Sequence, residues 1–258
     1  MKSILAAAAI LLGILWTASG GATEPDFPLA DFKMLTPDGS RKIGYAHFDT
    51  AEAHGLIHVR GQYNFISGDY DVDEAWLKPA QRTASPALFK YRHVFFHSDG
   101  SPERLSEADL NSGQATCSIY NNGTVQRASK KLDFPADTYA GPALVFPIRA
   151  FLRQSVSTSN EFHSFNCSPG PTIYALQIST RAQQRWTYHE GPVIEASVKP
   201  HFGPFDVWIA PFVPRVRLWF DPARDCEFIG AESMRYYKGL PFMMVPARSF
   251  ADKNDGNR

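Results

Sequence analysis

Short runs of β-branched and aromatic residues, each soon closed off by Gly, Pro, Asn or Asp, recur from residue 43 to residue 245. No other property of the chain restricts its fold so strongly, because runs of this length are too short for ordinary helices and suit strands joined by turns. The pattern predicts strands at Ile43 to Phe48, Leu56 to Ile66, Leu88 to His97, Gln114 to Tyr120 and Thr124 to Leu132. Further strands are predicted at Glu161 to Asn166, Ile173 to Ser179, Arg185 to His189, Val193 to Val198, Asp206 to Ile209, Arg215 to Phe220, Glu227 to Ser233 and Pro241 to Val245. The Asn122-Gly123 dipeptide between two of these runs is a tight-hairpin signal, since both residues tolerate positive φ.

One segment departs from the pattern. Asp137-Thr138 is placed to cap a helix from about Tyr139 to Gln154, with Ala140, Ala143, Leu144, Phe151 and Leu152 as its apolar stripe. Pro142 falls in the first turn at little cost, whereas Pro147 is expected to kink the interior. A sheet with one dry face must cover it, and this is the helical segment long enough to do so. The fold class expected is therefore mainly β: a curved antiparallel sheet or half-barrel with one central helix packed on its concave face. A single helix about 10 Å wide leaves part of such a face uncovered.

Composition narrows the function classes. The chain is 44% hydrophobic, with 19 Phe, 10 Tyr and 5 Trp, which excludes global disorder. Lys plus Arg and Asp plus Glu are balanced at 26 each, so there is no net field to hold a phosphate backbone, and nucleic acid is not an expected partner. At the start, Lys2 precedes the apolar run Ile4 to Trp16, followed by small residues ending at Gly20-Gly21-Ala22. That order is the signature of a secretory leader cleaved after Ala22. The run would span only about 20 Å of a hydrocarbon layer roughly 30 Å thick, so no integral membrane segment is expected after processing. Residues 1–22 are thus read as a signal peptide, 23–250 as a single β-rich domain and 251–258 as a flexible tail, in a periplasmic or secreted protein. In that compartment Cys117, Cys167 and Cys226 meet oxidising conditions: at most one bridge can form, any of the three pairings is open, and three small buried residues without a bridge are the alternative.

Recognisable catalytic signatures are missing: no Gly-x-Ser-x-Gly elbow, phosphate loop, dinucleotide fingerprint or Cys-x-x-Cys occurs. His93 and His97 have the spacing of two ligands on a helix, but on a strand they lie about 13 Å apart and share a face with Tyr91 and Phe95. They read as pocket wall, not as a metal site. The run Asp69-Tyr70-Asp71-Val72-Asp73-Glu74 lacks the glycine and the final acid of a calcium loop. It reads as a half-buried strand with its acids toward solvent and Tyr70 and Val72 inward. No metal and no cofactor is expected. The aromatic stretch around Trp208 and Trp219 either fills the core or lines a concave apolar surface.

The segment Asp133-Phe134-Pro135-Ala136-Asp137-Thr138-Tyr139 leads into the helix, and the runs Ala210 to Asp221 and Arg235-Tyr236-Tyr237-Lys238-Gly239 follow. In these motifs the chain resembles a family of bacterial exported β-rich proteins of unknown function. The resemblance spans most of the mature chain and implies no catalytic residue. More loosely, the architecture resembles lipoprotein-carrier half-barrels, in which a curved sheet wraps a helix and shelters acyl chains. The function expected is a non-enzymatic exported protein binding an apolar, amphipathic or lipid-like ligand, with Tyr91, His93, Phe95, His97, Leu144, Phe151, Trp208 and Trp219 as its ligand-binding residues. Two rivals are a secreted hydrolase or carbohydrate-modifying enzyme built on His93, Asp99, Glu161 and His163, and a structural or interaction domain without a ligand.

Overall fold

The computed structural model describes residues 31–80, 85–121, 123–153, 160–167, 169–183, 185–201, 216–235 and 241–247. The expected leader and tail, the strand Asp206 to Ile209 and Trp208 lie outside the described residues. The first eight strands are β1 Asp31–Leu35, β2 Lys42–Ala53, β3 Leu56–Phe65, β4 Tyr70–Lys78, β5 Ala87–Phe96, β6 Pro102–Asp109, β7 Gln114–Asn121 and β8 Thr124–Lys131. After β9 Thr138–Tyr139 come a 3-10 turn over Gly141–Leu144 and the helix α1 Val145–Arg153. The chain then returns to strands: β10 Glu161–Cys167, β11 Pro171–Gln183, β12 Val193–Pro200, β13 Val216–Asp221, β14 Glu227–Met234 and β15 Pro241–Pro246.

These form one 15-stranded sheet in the order β8-β7-β6-β5-β4-β3-β2-β1-β15-β14-β13-β12-β11-β10-β9. The order is two meanders of sequential strands joined where β1 pairs antiparallel with β15, Phe32 opposite Pro246. Sequential antiparallel pairing explains why turn chemistry dominates the sequence, since most connections reverse the chain at once; β9 is an exception, pairing parallel with β10 across the helix. At the β7–β8 hairpin Asn121 pairs with Thr124, and Gly123 takes φ 79°. An L side chain is strained there, as the Asn-Gly signal requires.

Among the described residues the sheet does not close by hydrogen bonds. Its ends are brought together instead by a disulfide between Cys117 on β7 and Cys167 on β10, each on the strand next to an edge. Of the three pairings open to the sequence, this is the one formed, and Cys226 remains a free, buried thiol. The curl produces a concave face on which α1 and its preceding 3-10 turn pack. Ala143, Val145, Phe146 and Ile148 join Phe32, Met34, Phe48, Ile57, Val59 and Phe220 in the main core. A smaller cluster sits on the opposite face, where Trp186 stacks on Trp219 at 4.7 Å beside Val193, Ile229 and Val245.

The helix differs from the expectation in three respects. Asp137 and Thr138 do not cap it: Thr138 is in β9 with its hydroxyl donating to the Pro135 carbonyl, and Asp137 pairs with His163. The regular α-helix begins only at Val145, so Pro147 falls in its first turn, where the missing N–H is harmless and no kink is required. The wholly buried stripe is Val145, Phe146 and Ile148, while Leu144 and Phe151 are half-buried against the core. Arg185 to His189 is a tight turn closed by a Trp186–His189 bridge, not a strand.

Candidate functional site

The site begins with β4. Alternation along a strand places Asp71, Asp73, Ala75 and Leu77 on one face, and all four are buried; Tyr70, Val72, Glu74 and Trp76 are half-exposed on the other. The strand reading of the acidic run is correct, but its faces are reversed: Asp71 and Asp73 point into the concave interior. On the outer side Glu74 lies 3.3 Å from His58 and 3.6 Å from Arg92, and Trp76 stacks on His58. The partner that makes the inversion affordable is Arg235, immediately after β14. Its guanidinium grips Asp71 in a fork, Nε to both carboxylate oxygens at 3.1 Å and Nη2 to Oδ1 at 2.8 Å. It also reaches Asp69 at 3.4 Å, donates to the Phe96 carbonyl and lies over the rings of Phe65 and Phe95.

Asp73 is treated differently. The Tyr91 hydroxyl hydrogen-bonds its carboxyl, and His93 Nδ1 lies 3.9 Å from Oδ2. Against it rests the backbone of Gly141 at φ 54°; a Cβ there would press on both Asp73 carboxylate oxygens, Oδ1 most closely, and stand 2.6 Å from the Tyr91 ring. The 3-10 turn therefore starts at a glycine because nothing larger fits over the carboxyl. Burial governs the ionisation of the group. It pushes Asp73 well above the ordinary carboxylate range, with the neighbouring Asp71 and Glu74 charges adding to the effect. Asp71 is raised to about 6 by the same burial, against the opposing pull of Arg235. Burial also lowers His93 to about 3, assisted by the Arg235 charge, so its imidazole is neutral at pH 7.

Between these groups and the helix lies a cavity of about 140 Å³. Asp71, Asp73, His93, Tyr63 and Arg235 form its polar end, and Phe48, Leu144, Val145, Leu218, Phe228 and Phe242 are among its apolar walls. Of the residues expected to bind ligand, His93 and Leu144 line this space, and Tyr91 braces it through Asp73. Phe95 is buried beside His93, ring centroids 4.0 Å apart. His97 does not share the wall, because β5 bulges near its end and the chain turns at His97, leaving it exposed. Phe151 packs on the core away from the lining, and Trp219 faces the opposite side of the sheet. The members not anticipated are Asp71, Asp73, Tyr63, Gly141 and Arg235.

The residues offered for a hydrolase do not converge. Asp99 is exposed in a turn with Ser101, Glu161 lies 3.7 Å from His201 at the start of β10, and His163 pairs with Asp137 at 2.8 Å. Among the described residues no group of three or more His, Cys, Asp or Glu is arranged to hold a metal ion.

No family model and no curated protein matches the chain. Among solved structures it is similar to a β-barrel-like protein, a domain of unknown function (DUF1849) from Brucella abortus. The identity is 10% and the TM-score 0.45, over 85% of this chain and 95% of that one.

Proposed function

We propose that this protein is a non-enzymatic binding protein, working in an oxidising compartment outside the cytoplasm, whose cavity between the helix and the concave sheet takes a small apolar or amphipathic molecule. The observation that carries the reading is the cavity itself: apolar walls converging on a few polar groups are the usual composition of a ligand site. Its volume of about 140 Å³ is close to that of an engineered apolar cavity of about 150 Å³ that admits benzene. The ligand, or the part of it that enters, is therefore the size of one ring or a short alkyl segment, and the bulk of a lipid would stay outside. Export is supported by the order of charged, apolar and small residues in the first 22 positions, and by the Cys117–Cys167 bridge, which a reducing cytoplasm disfavours. No helix among the described residues is long and apolar enough to cross a membrane.

Native mass spectrometry of protein purified from its host tests the reading. A discrete mass increment that is lost on denaturation is expected. Protein that carries no increment and binds none of a panel of small apolar compounds refutes it.

A further inference from the structure

The polar end of the cavity says what kind of head group the ligand carries, an inference that rests on the cavity being a ligand site. Arg235 is the permanent cation of the wall, and its fork is already engaged by Asp71, Asp69 and the Phe96 carbonyl, with Glu103 3.7 Å away. An anionic head entering here would meet three carboxylates around one guanidinium, and is rejected by repulsion. Two other atoms at this end are unengaged. Asp73 Oδ1 and His93 Nε2 are buried without a hydrogen-bond partner among the described residues, and both residues line the same cavity. Buried polar atoms are nearly always paired, so two orphans on residues that line one cavity mark a place for a ligand's polar group.

We propose that Asp73 Oδ1 and His93 Nε2 together hold an uncharged hydroxyl at the end of an otherwise apolar ligand. A hydroxyl both donates and accepts, so it satisfies the carboxyl and either tautomer of a neutral imidazole at once. Tyr91 hydrogen-bonds the Asp73 carboxyl and Gly141 packs against both its oxygens, so the group is held in place at the cavity wall. Burial disfavours the charged form of both groups, raising Asp73 well above the ordinary carboxylate range and lowering His93 to about 3, which weighs against an ionic head.

The test uses the folded, disulfide-intact protein, labelled with nitrogen-15, and three ring-sized probes at pH 7: phenol, toluene and benzoate. Phenol is expected to bind and to shift the His93 side-chain nitrogen resonances, toluene to bind without shifting them, and benzoate to bind at least about tenfold more weakly than phenol. His93→Phe should weaken phenol by about tenfold, the factor one hydrogen bond carries, and leave toluene within about twofold. The nitrogen shifts are read on the unmodified protein, so the test stands even if that variant does not fold. Phenol that binds without moving His93, or benzoate that binds as tightly as phenol, overturns the hydroxyl assignment while the ligand site survives. Binding of neither phenol nor toluene removes the ligand site, and the assignment with it.

Discussion

Replacing Cys117 and Cys167 together by Ala should lower the stability of the folded chain by about 4 kcal/mol. The figure follows from the bridge's span: it closes a loop with a sequence separation of 50, and restricting an unfolded chain over a loop of that size is worth about 4 kcal/mol at 25 °C. The geometry adds a reason to expect the full amount. The two strands it joins lie at opposite ends of the sheet and no hydrogen-bond ladder links them, so the bridge is not duplicating a restraint supplied by pairing. For a domain of this size 4 kcal/mol corresponds to a melting temperature lower by roughly 8–16 °C. The assay is thermal unfolding followed by circular dichroism, with and without reductant. Reductant should bring the natural protein down to the variant's melting temperature and leave the variant unchanged, because Cys226 is already a thiol. A fall of less than about 2 °C would mean that packing alone holds the ends of the sheet and that the clasp is energetically idle.

Gly141→Ala should cost about 2–4 kcal/mol by urea denaturation, since its methyl would press on Asp73 and Tyr91 from a backbone at φ 54°; a cost below about 0.5 kcal/mol would show that the turn yields freely. His93 predicts an acid limb. Its folded-state value of about 3 lies below the ordinary 6.5, so the stability it allows is fully present above pH 6.5 and is lost as pH falls toward 3, by at most about 1.4 kcal/mol per unit. Asp71, raised from 3.8 to about 6, acts in the opposite sense and loses stability as pH rises through that window. The informative quantity is therefore the difference between the natural protein and His93→Gln, which should shift steadily toward the variant on acidification. A difference independent of pH between 6.5 and 3 would place His93 in contact with water.

The meander was legible in the sequence because each of its hairpins is a local event, spelled by a short apolar run and a turn residue. What escaped depends on distant partners. β1 alternates, with Phe32 and Met34 inward, but runs for only five residues, and β6, half-buried along most of its length, carries weak alternation. The reversed faces of β4 teach the most. Alternation reports which residues share a side, but the choice of the inward side belongs to the rest of the molecule. Here it was made by Arg235, 164 residues from Asp71, whose fork neutralises a carboxylate that hydrophobicity alone would turn outward. Arg235 stood in the sequence only as the head of the run Arg235-Tyr236-Tyr237-Lys238-Gly239, which gave no sign of a buried charge. Gly141 likewise carries no signal in the sequence, since only the carboxyl packed against it shows why it is glycine.

The pairing of β1 with β15 has a consequence for the order in which the molecule can be assembled. During synthesis the first eight strands emerge early and can zip into hairpins one after another, yet β1 keeps an open edge until β15, the last strand of the sheet, has been made. The seam between the two meanders is thus a contact of maximal chain separation, and such contacts form late because their loop-closure entropy is greatest. It follows too that residues 31 and 247 end side by side, where Ala247 donates its N–H to the Asp31 carbonyl. A short linker between them, with new ends opened at the exposed β7–β8 turn, would yield a circular permutant in which that seam becomes a local hairpin and completes early.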